Sequence, residues 1–331
     1  MPFRDVIGHR RLVALLSQSV SRDTLPPSLI LTGPEGVGKR LVATATAQAL
    51  NCPAVSGGDA CGVCPVCTRI ARGVHPDVPV IVPGDNGSIK IEQVRDVIDR
   101  SAYRPFEGRR RVVIVDDADA MMAAAQSALL KTLEEPPAAS AFMLITAHPD
   151  LLLPTVRSRC PQLRFRALSA DEVAAALVRQ GRSETEAHAI AASAGGSVAH
   201  ALDASGGDLV EARDVAVRVL AQASATTEPG RRIDGAKELL AKTGAGGATD
   251  REQVAGHLRA MSALLRDIEV MSIPGNPATL ANPDVKPALE RLSAFSGERG
   301  LRAFEAVDQA LDALSRNAGV KTVADWLVLQ L

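Results

Sequence analysis

Two short stretches of this chain combine residue types and spacings that could do chemistry. The first is Gly33-Pro34-Glu35-Gly36-Val37-Gly38-Lys39-Arg40, which follows the apolar run Ser28–Thr32 and opens a helical pattern. Gly33, Gly36 and Gly38 let backbone N–H groups face phosphate oxygens, the helix start adds positive potential, and Lys39 can reach β and γ phosphates. This is a Walker A loop except at its last position, where Ser or Thr ordinarily ligates Mg²⁺. Arg40 offers donors and no acceptor, so Mg²⁺ is doubtful here. Its charge either competes for the metal's place or points outward, and Thr44, one turn on, is displaced from the ligand position. The companion Walker B run is Val112-Val113-Ile114-Val115-Asp116-Asp117-Ala118-Asp119. Asp116 could hold Mg²⁺ through water. Asp117 stands where a Glu usually polarises the attacking water, and it is one methylene shorter. A misplacement near 1 Å can cost on the order of a hundredfold in rate. Together the two departures predict a site that takes ATP or ADP and turns it over poorly.

The second stretch is Cys52-x8-Cys61-x2-Cys64-x2-Cys67. Four thiolates at this spacing suit tetrahedral Zn²⁺ at about 2.3 Å in a closed, structural site. Reduced buried thiols and an iron–sulfur cluster are the other readings, and His75 is a conceivable substitute ligand. No basic or aromatic residue lies between Cys52 and Cys67, which argues against a nucleic-acid-reading zinc module. Cys160 stands apart and reads as a small apolar core residue.

The elements that must position these groups follow from periodicity. Ser28–Thr32, Val78–Val82, Arg111–Asp116 and Ala141–Thr146 are β-branched runs that read as buried parallel strands. Helical stretches at Lys39–Leu50, Ile91–Ser101 and Ala120–Leu133 alternate with them, which predicts a parallel α/β sheet with crossover helices. In such sheets ligands sit at the carboxyl ends of the strands. After about Arg166 the strands stop. Ser169 and Glu172 open a helix running to about Gly181, and short helices follow at about Glu184–Ala194 and Val198–Ala204. Beyond Gly207 the Ala/Leu/Val/Arg pattern is helical, with breaks at 227–230, 244–249 and 274–287.

Composition closes off several function classes. The 331 residues carry 37 basic and 38 acidic side chains, a net charge of −1, so no bulk-charge grip on nucleic acid is expected. Aromatics make up 2%, too few for a base-stacking platform. No apolar run approaches the ~18 residues of a membrane span, and the N-terminal residues lack a signal-peptide core, so a cytoplasmic protein is expected. His9, His148 and His200 accompany no nucleophile motif, so a hydrolase triad has no support. Arg109-Arg110-Arg111 precedes a buried strand and reads as a solvated hairpin end, with direct DNA contact as the other reading.

A phosphate loop, a four-cysteine insert, Leu130-Lys131-Thr132-Leu133-Glu134-Glu135-Pro136-Pro137 and then Ser158-Arg159-Cys160 form a distinctive set. The set resembles the AAA+ subunits of the bacterial DNA polymerase III clamp loader, closely over about Phe3 to Leu202. That resemblance implies a P-loop AAA+ domain at 1–167 with the zinc insert at about 51–73. A three-helix lid at 168–206 and an all-α collar at 207–331 would follow. Within the family, Arg40, Asp117 and Ala199 (the place of a sensor-2 Arg) depart from the motor subunits of the tau/gamma type, while the sensor-1 residue Thr146 is kept. This is the pattern of the delta-prime type, in which Arg159 acts in trans as an arginine finger on a neighbour's ATP. The alternative is an active tau/gamma-type ATPase subunit. The implied partners are tau/gamma-type and delta subunits, with the sliding clamp and primed-template DNA met through the complex. Polymerase activity would belong to the holoenzyme alone.

Overall fold

Alternating apolar residues on both faces of a parallel sheet organise the first half of the chain. In the computed structural model, Ser28–Thr32 forms β1, Val80–Ile81 β2, Arg111–Val115 β3, Ser140–Thr146 β4 and Gln162–Arg164 β5. The model describes residues 1–84, 86–203, 206–226, 228–240, 248–272, 280, 282, 285–316 and 318–331. The strand order is β2-β3-β4-β1-β5, and every pairing is parallel. Leu29, Leu31, Val112, Ile114, Met143 and Ile145 face one core, shared with Leu16 of α1 (Arg10–Ser21) and Val42 and Ala43 of α2 (Lys39–Asn51). Their neighbours Ile30, Val113, Val115, Phe142 and Leu144 face the other core. There they meet Val94 of α4 (Ile91–Ser101) and Leu129 and Leu133 of α5 (Ala123–Glu134). A strand buried on both faces reads as a continuous apolar run, which is why these strands were legible.

Several expected boundaries move, for physical reasons. The run Val78–Val82 contributes only two ladder residues, because Pro79 and Pro83 flank them and proline cannot donate to a ladder. The helix expected from Ala120 starts at Ala123, after a 3₁₀ turn at Ala118–Ala120. Three elements were not anticipated: β5, α1 and α3 (Pro65–Ala71), the last inside the cysteine insert. A four-residue helix, α6 (Pro154–Arg157), leads into the Ser158-Arg159-Cys160 segment.

Met1–Leu168 is one compact unit and Ser169–Leu331 a second. In the second, α7 (Ala170–Arg179) opens on a reciprocal cap. Glu172 N–H donates to Ser169 Oγ at 3.2 Å, and Ser169 N–H donates to Glu172 Oε2 at 2.9 Å. With it pack α8 (Glu184–Ser193) and α9 (Val198–Asp203). Among the described residues six further helices follow: α10 (Gly206–Ala225), α11 (Pro229–Leu239), α12 (Ala248–Ser272), α13 (Lys286–Arg291), α14 (Glu298–Ser315) and α15 (Val320–Gln330). They enclose a single apolar core that includes Leu220, Leu258, Leu264, Phe295, Val307 and Leu327. The chain breaks expected at 227–230, 244–249 and 274–287 lie partly outside the described residues, as does Ala204 of the helix expected at Val198–Ala204. Where the chain is described, Pro229 opens α11, and Lys286-Pro287 opens α13. No described helix is long and apolar enough to cross a membrane.

Candidate functional site

The register of the sheet brings the phosphate loop, the acidic run and Thr146 to one edge. Thr32 ends β1 beside Thr146, which ends β4, and β4 in turn pairs with β3, which ends at Val115 just before Asp116. Gly33 N–H donates to the Thr146 carbonyl at 3.3 Å, tying the two loops together. Gly33 cannot be replaced here. Its φ is +142°, and an added Cβ would lie 2.4 Å from the Phe165 carbonyl oxygen. Gly38, at φ +97°, caps α2 without any side-chain hydrogen bond, so the first N–H groups of α2 stay available to an anion. Gly36 is also left-handed, at φ +69°.

Lys39 is 7% exposed, and its Nζ donates to the carbonyls of Gly33 at 2.5 Å and Pro34 at 2.6 Å. Burial lowers its pKa, and the opposing pull comes from Glu35, Asp117, Asp119 and Asp116. Arg40 Nη1 donates to Asp116 Oδ2 at 3.0 Å. It therefore does not simply point outward, although its side chain is 58% exposed. The hydroxyl of Thr44 donates to the Arg40 carbonyl on its own helix at 2.9 Å and offers no substitute ligand.

Asp117 adopts a left-handed backbone, φ +50°, at the start of the 3₁₀ turn. Burial and the carboxylates of Asp116, Asp119 and Glu35 push its carboxyl up to about 6, against Lys39. Thr146 is fully buried; its hydroxyl donates to Asp119 Oδ1 at 2.5 Å and accepts from His148 N–H at 2.9 Å. Sequence reasoning missed His9, which supports the loop from beneath. Its Nε2 lies 3.0 Å from the Val37 carbonyl, and its ring packs edge-on against Phe165 at 4.7 Å.

Arg159 lies just beyond α6. It forms an ion pair with Glu134 at the end of α5, and its Nη1 donates to the Thr155 carbonyl at 2.8 Å. Both partners of the pair are partly exposed, 32% and 46%.

The cysteines converge. Cys52 follows α2, Cys61 and Cys64 lie in the loop before α3, and Cys67 sits within α3. Their four sulfurs lie within 4.8 Å of one another, with Cys61 and Cys67 at 4.0 Å. A tetrahedral centre with 2.3 Å bonds has sulfur–sulfur edges of about 3.8 Å, so the cluster fits zinc with small contraction. Backbone N–H groups of Cys61, Cys64 and Cys67 donate to the sulfurs of Cys52, Cys61 and Cys64 at 3.3, 3.4 and 3.4 Å. Such bonds favour thiolate, and those from Val63 and Cys64 lower Cys61 to about 6. Burial pushes the Cys67 thiol the other way. Four crowded sulfurs of conflicting preference are what a cation would reconcile.

Arg4 braces the insert, donating to the carbonyls of Ala60 and Cys61 at 2.8 and 2.7 Å, and Gln48 donates to the Cys67 carbonyl at 2.7 Å. His75 is not part of the cluster: its Nδ1 accepts from Asp77 N–H at 3.2 Å. Cys160 packs in the core beneath α5, and burial pushes its thiol up to about 11.

The arginine run departs from expectation at its last member. Arg111 is buried and pairs with fully buried Asp77 at 3.1 Å. Arg110 pairs with Asp23 at 2.6 Å, and Arg109 reaches the carbonyls of Ala49 and Cys52. Arg111 alone is withdrawn from solvent; Arg109 stays exposed and Arg110 half-buried, each with an acceptor distant in sequence.

Comparison with known proteins adds one family. Residues 8–169 match the family model described as DNA polymerase III, delta subunit. Over 171 residues the chain is 32% identical to DNA polymerase III subunit tau of Salmonella typhimurium, covering 52% of this chain and 26% of that one. Over 150 residues it is 34% identical to subunit delta' of Pseudomonas aeruginosa, covering 45% and 46%. A DNA polymerase III gamma subunit-related protein of Thermotoga maritima aligns in structure over 95% of this chain and 96% of its own, at 17% identity and a TM-score of 0.42. The matched segment spans less than half the length of these curated relatives.

Proposed function

Because the chain is, through residues 8–169, a member of the bacterial DNA polymerase III clamp-loader family, we propose that it works as a clamp-loader subunit of the delta-prime type. In this reading it is a stator. It joins tau/gamma-type and delta subunits, helps load the sliding clamp onto primed-template DNA, and supplies Arg159 in trans to ATP held by a neighbour. The zinc-bound cysteine insert shapes the AAA+ domain (1–167), residues 168–206 form the lid, and residues 207–331 form the collar.

The observation that carries this reading is the Arg40–Asp116 ion pair. Efficient hydrolysis at a P-loop needs a metal held by the loop hydroxyl and the Walker B carboxylate. Here the hydroxyl is replaced by a cation, and that cation sits on the carboxylate. Asp117, one methylene shorter than the usual Glu and in a left-handed turn, is also displaced as a relay to an attacking water. Arg159 meets the opposite requirement. It is always charged, forked and partly exposed, and held by a pair worth only about 0–1 kcal/mol, so a neighbour's phosphates can outcompete Glu134.

The tau/gamma reading keeps some support from the tau match and from Lys39 and Thr146, both in place. The isolated chain decides between them. The stator reading predicts ATP turnover no faster than that of Lys39→Ala; turnover that Lys39→Ala abolishes would establish a motor subunit instead.

A further inference from the structure

The P-loop fold implies Mg²⁺, and the residues here do not fit it. The side chain of residue 40 has no oxygen to offer, and the Thr44 hydroxyl is bonded to its own helix at 2.9 Å. Asp116 Oδ2 already has a guanidinium at 3.0 Å. A divalent ion would have to displace one positive charge, sit beside a second on Lys39, and gain no ligand from the loop. The features that bind phosphate without a metal are nevertheless intact. The N-terminus of α2 is uncapped, and Gly33, Gly36 and Gly38 hold the loop open in left-handed conformations. Lys39 is desolvated and parked on two loop carbonyls that a phosphate oxygen can replace.

We infer that this loop binds a nucleoside di- or triphosphate free of divalent metal, with the Arg40 guanidinium occupying the metal's place beside Asp116. Lys39 and Arg40 present the unchelated polyphosphate with two positive charges, set against the carboxylates of Asp116, Asp117, Asp119 and Glu35 around them. A fork-shaped guanidinium can bridge two phosphate oxygens as a metal would. Its exposure leaves it free to turn from Asp116 to the phosphates, as a buried, fully bonded arginine could not. The inference rests on the non-hydrolysing reading of this site, and its ligand is the unchelated polyphosphate.

The test is equilibrium binding of a fluorescent ADP analogue to the full-length chain, in excess MgCl₂ and in excess EDTA, for the wild type, Arg40→Thr and Lys39→Ala. The EDTA is applied briefly enough that metal analysis shows the cysteine-bound zinc retained. Wild-type affinity is expected to agree within about twofold in the two buffers. Arg40→Thr, which restores the missing hydroxyl, is expected to bind about tenfold or more weaker in EDTA than in Mg²⁺, and Lys39→Ala to lose binding in both. A wild-type affinity that falls about tenfold in EDTA overturns the inference, and so does absence of binding in both buffers. The wild-type comparison decides even if a variant folds poorly. EDTA-sensitive binding without turnover sinks this inference alone, whereas Mg²⁺-dependent turnover abolished by Lys39→Ala sinks the non-hydrolysing reading as well.

Discussion

Asp117 shows how a single carboxyl at this site weighs on the whole domain. Its carboxyl is pushed up to about 6 by burial and by Asp116, Asp119 and Glu35. The folded state therefore binds its proton more tightly than the unfolded chain, and stability falls as pH rises from about 4 to about 6. Asp117→Asn should be more stable than the wild type near neutral pH, with the gain vanishing below about pH 4. Urea melts across that range read it directly; a gain independent of pH would contradict the assignment.

Asp77 behaves in the opposite way. Burial alone would raise its carboxyl, but the N–H groups of Glu107, Gly108 and Phe106 and the Arg111 guanidinium hold it below the ordinary carboxylate range. Its contribution is present above the unfolded pKa and lost as pH falls through the folded one. Asp77→Ala leaves Arg111 and three N–H groups without their acceptor. It should cost about 3 kcal/mol or more, measured by denaturant unfolding near neutral pH.

These residue pairs mark where sequence reading stops. Lys39 and the four cysteines were legible because their chemistry lies in local spacing. The Arg40–Asp116 pair spans 76 positions, Arg159–Glu134 spans 25, and Arg111–Asp77 spans 34, so only the folded sheet brings them together. Arg111, the last of three consecutive arginines, looks solvated until buried Asp77 appears beside it. At the level of elements, β1, β3 and β4 announced themselves as apolar runs. The three residues of β5, of which Gln162 and Arg164 are exposed, have no such signal. Helix α1 did carry one, with Leu12, Val13, Leu16 and Val20 at helical spacing against the first core.

The cysteine insert is the element whose order depends most on something beyond its own packing. Its buried apolar side is small, being Cys52, Ala60 and Cys67 with Val55 beside them. Four converging sulfurs must otherwise remain partly protonated against opposing preferences. The purified chain is expected to carry about one zinc, and Cys64→Ser or a strong chelator to release it. Melting temperature should then drop by several degrees, with lost hydrogen-exchange protection centred on α3. Metal-free protein whose melting temperature and α3 protection are unchanged by Cys64→Ser would remove the structural zinc site.

At the scale of the whole molecule, the proposed role rests on a phosphate loop whose Asp116 is paired with Arg40 and on Arg159, proposed to serve a neighbour. The Arg40–Asp116 pair and Arg159 lie on the same sheet-built unit, Met1–Leu168. In the free chain Arg159 rests on Glu134, a partly exposed pair that assembly can exchange for phosphate oxygens at little cost. An arginine finger in trans is worth about 10³-fold or more at the site it serves, far more than any surface ion pair contributes. The most direct test is DNA- and clamp-stimulated ATP turnover by a reconstituted loader containing either this chain or its Arg159→Ala form, with gel filtration showing that both assemble. The account predicts loss of turnover at one neighbouring site while the assembly stays intact. Unchanged turnover in an intact assembly would contradict it and leave Arg159 as no more than the partner of Glu134.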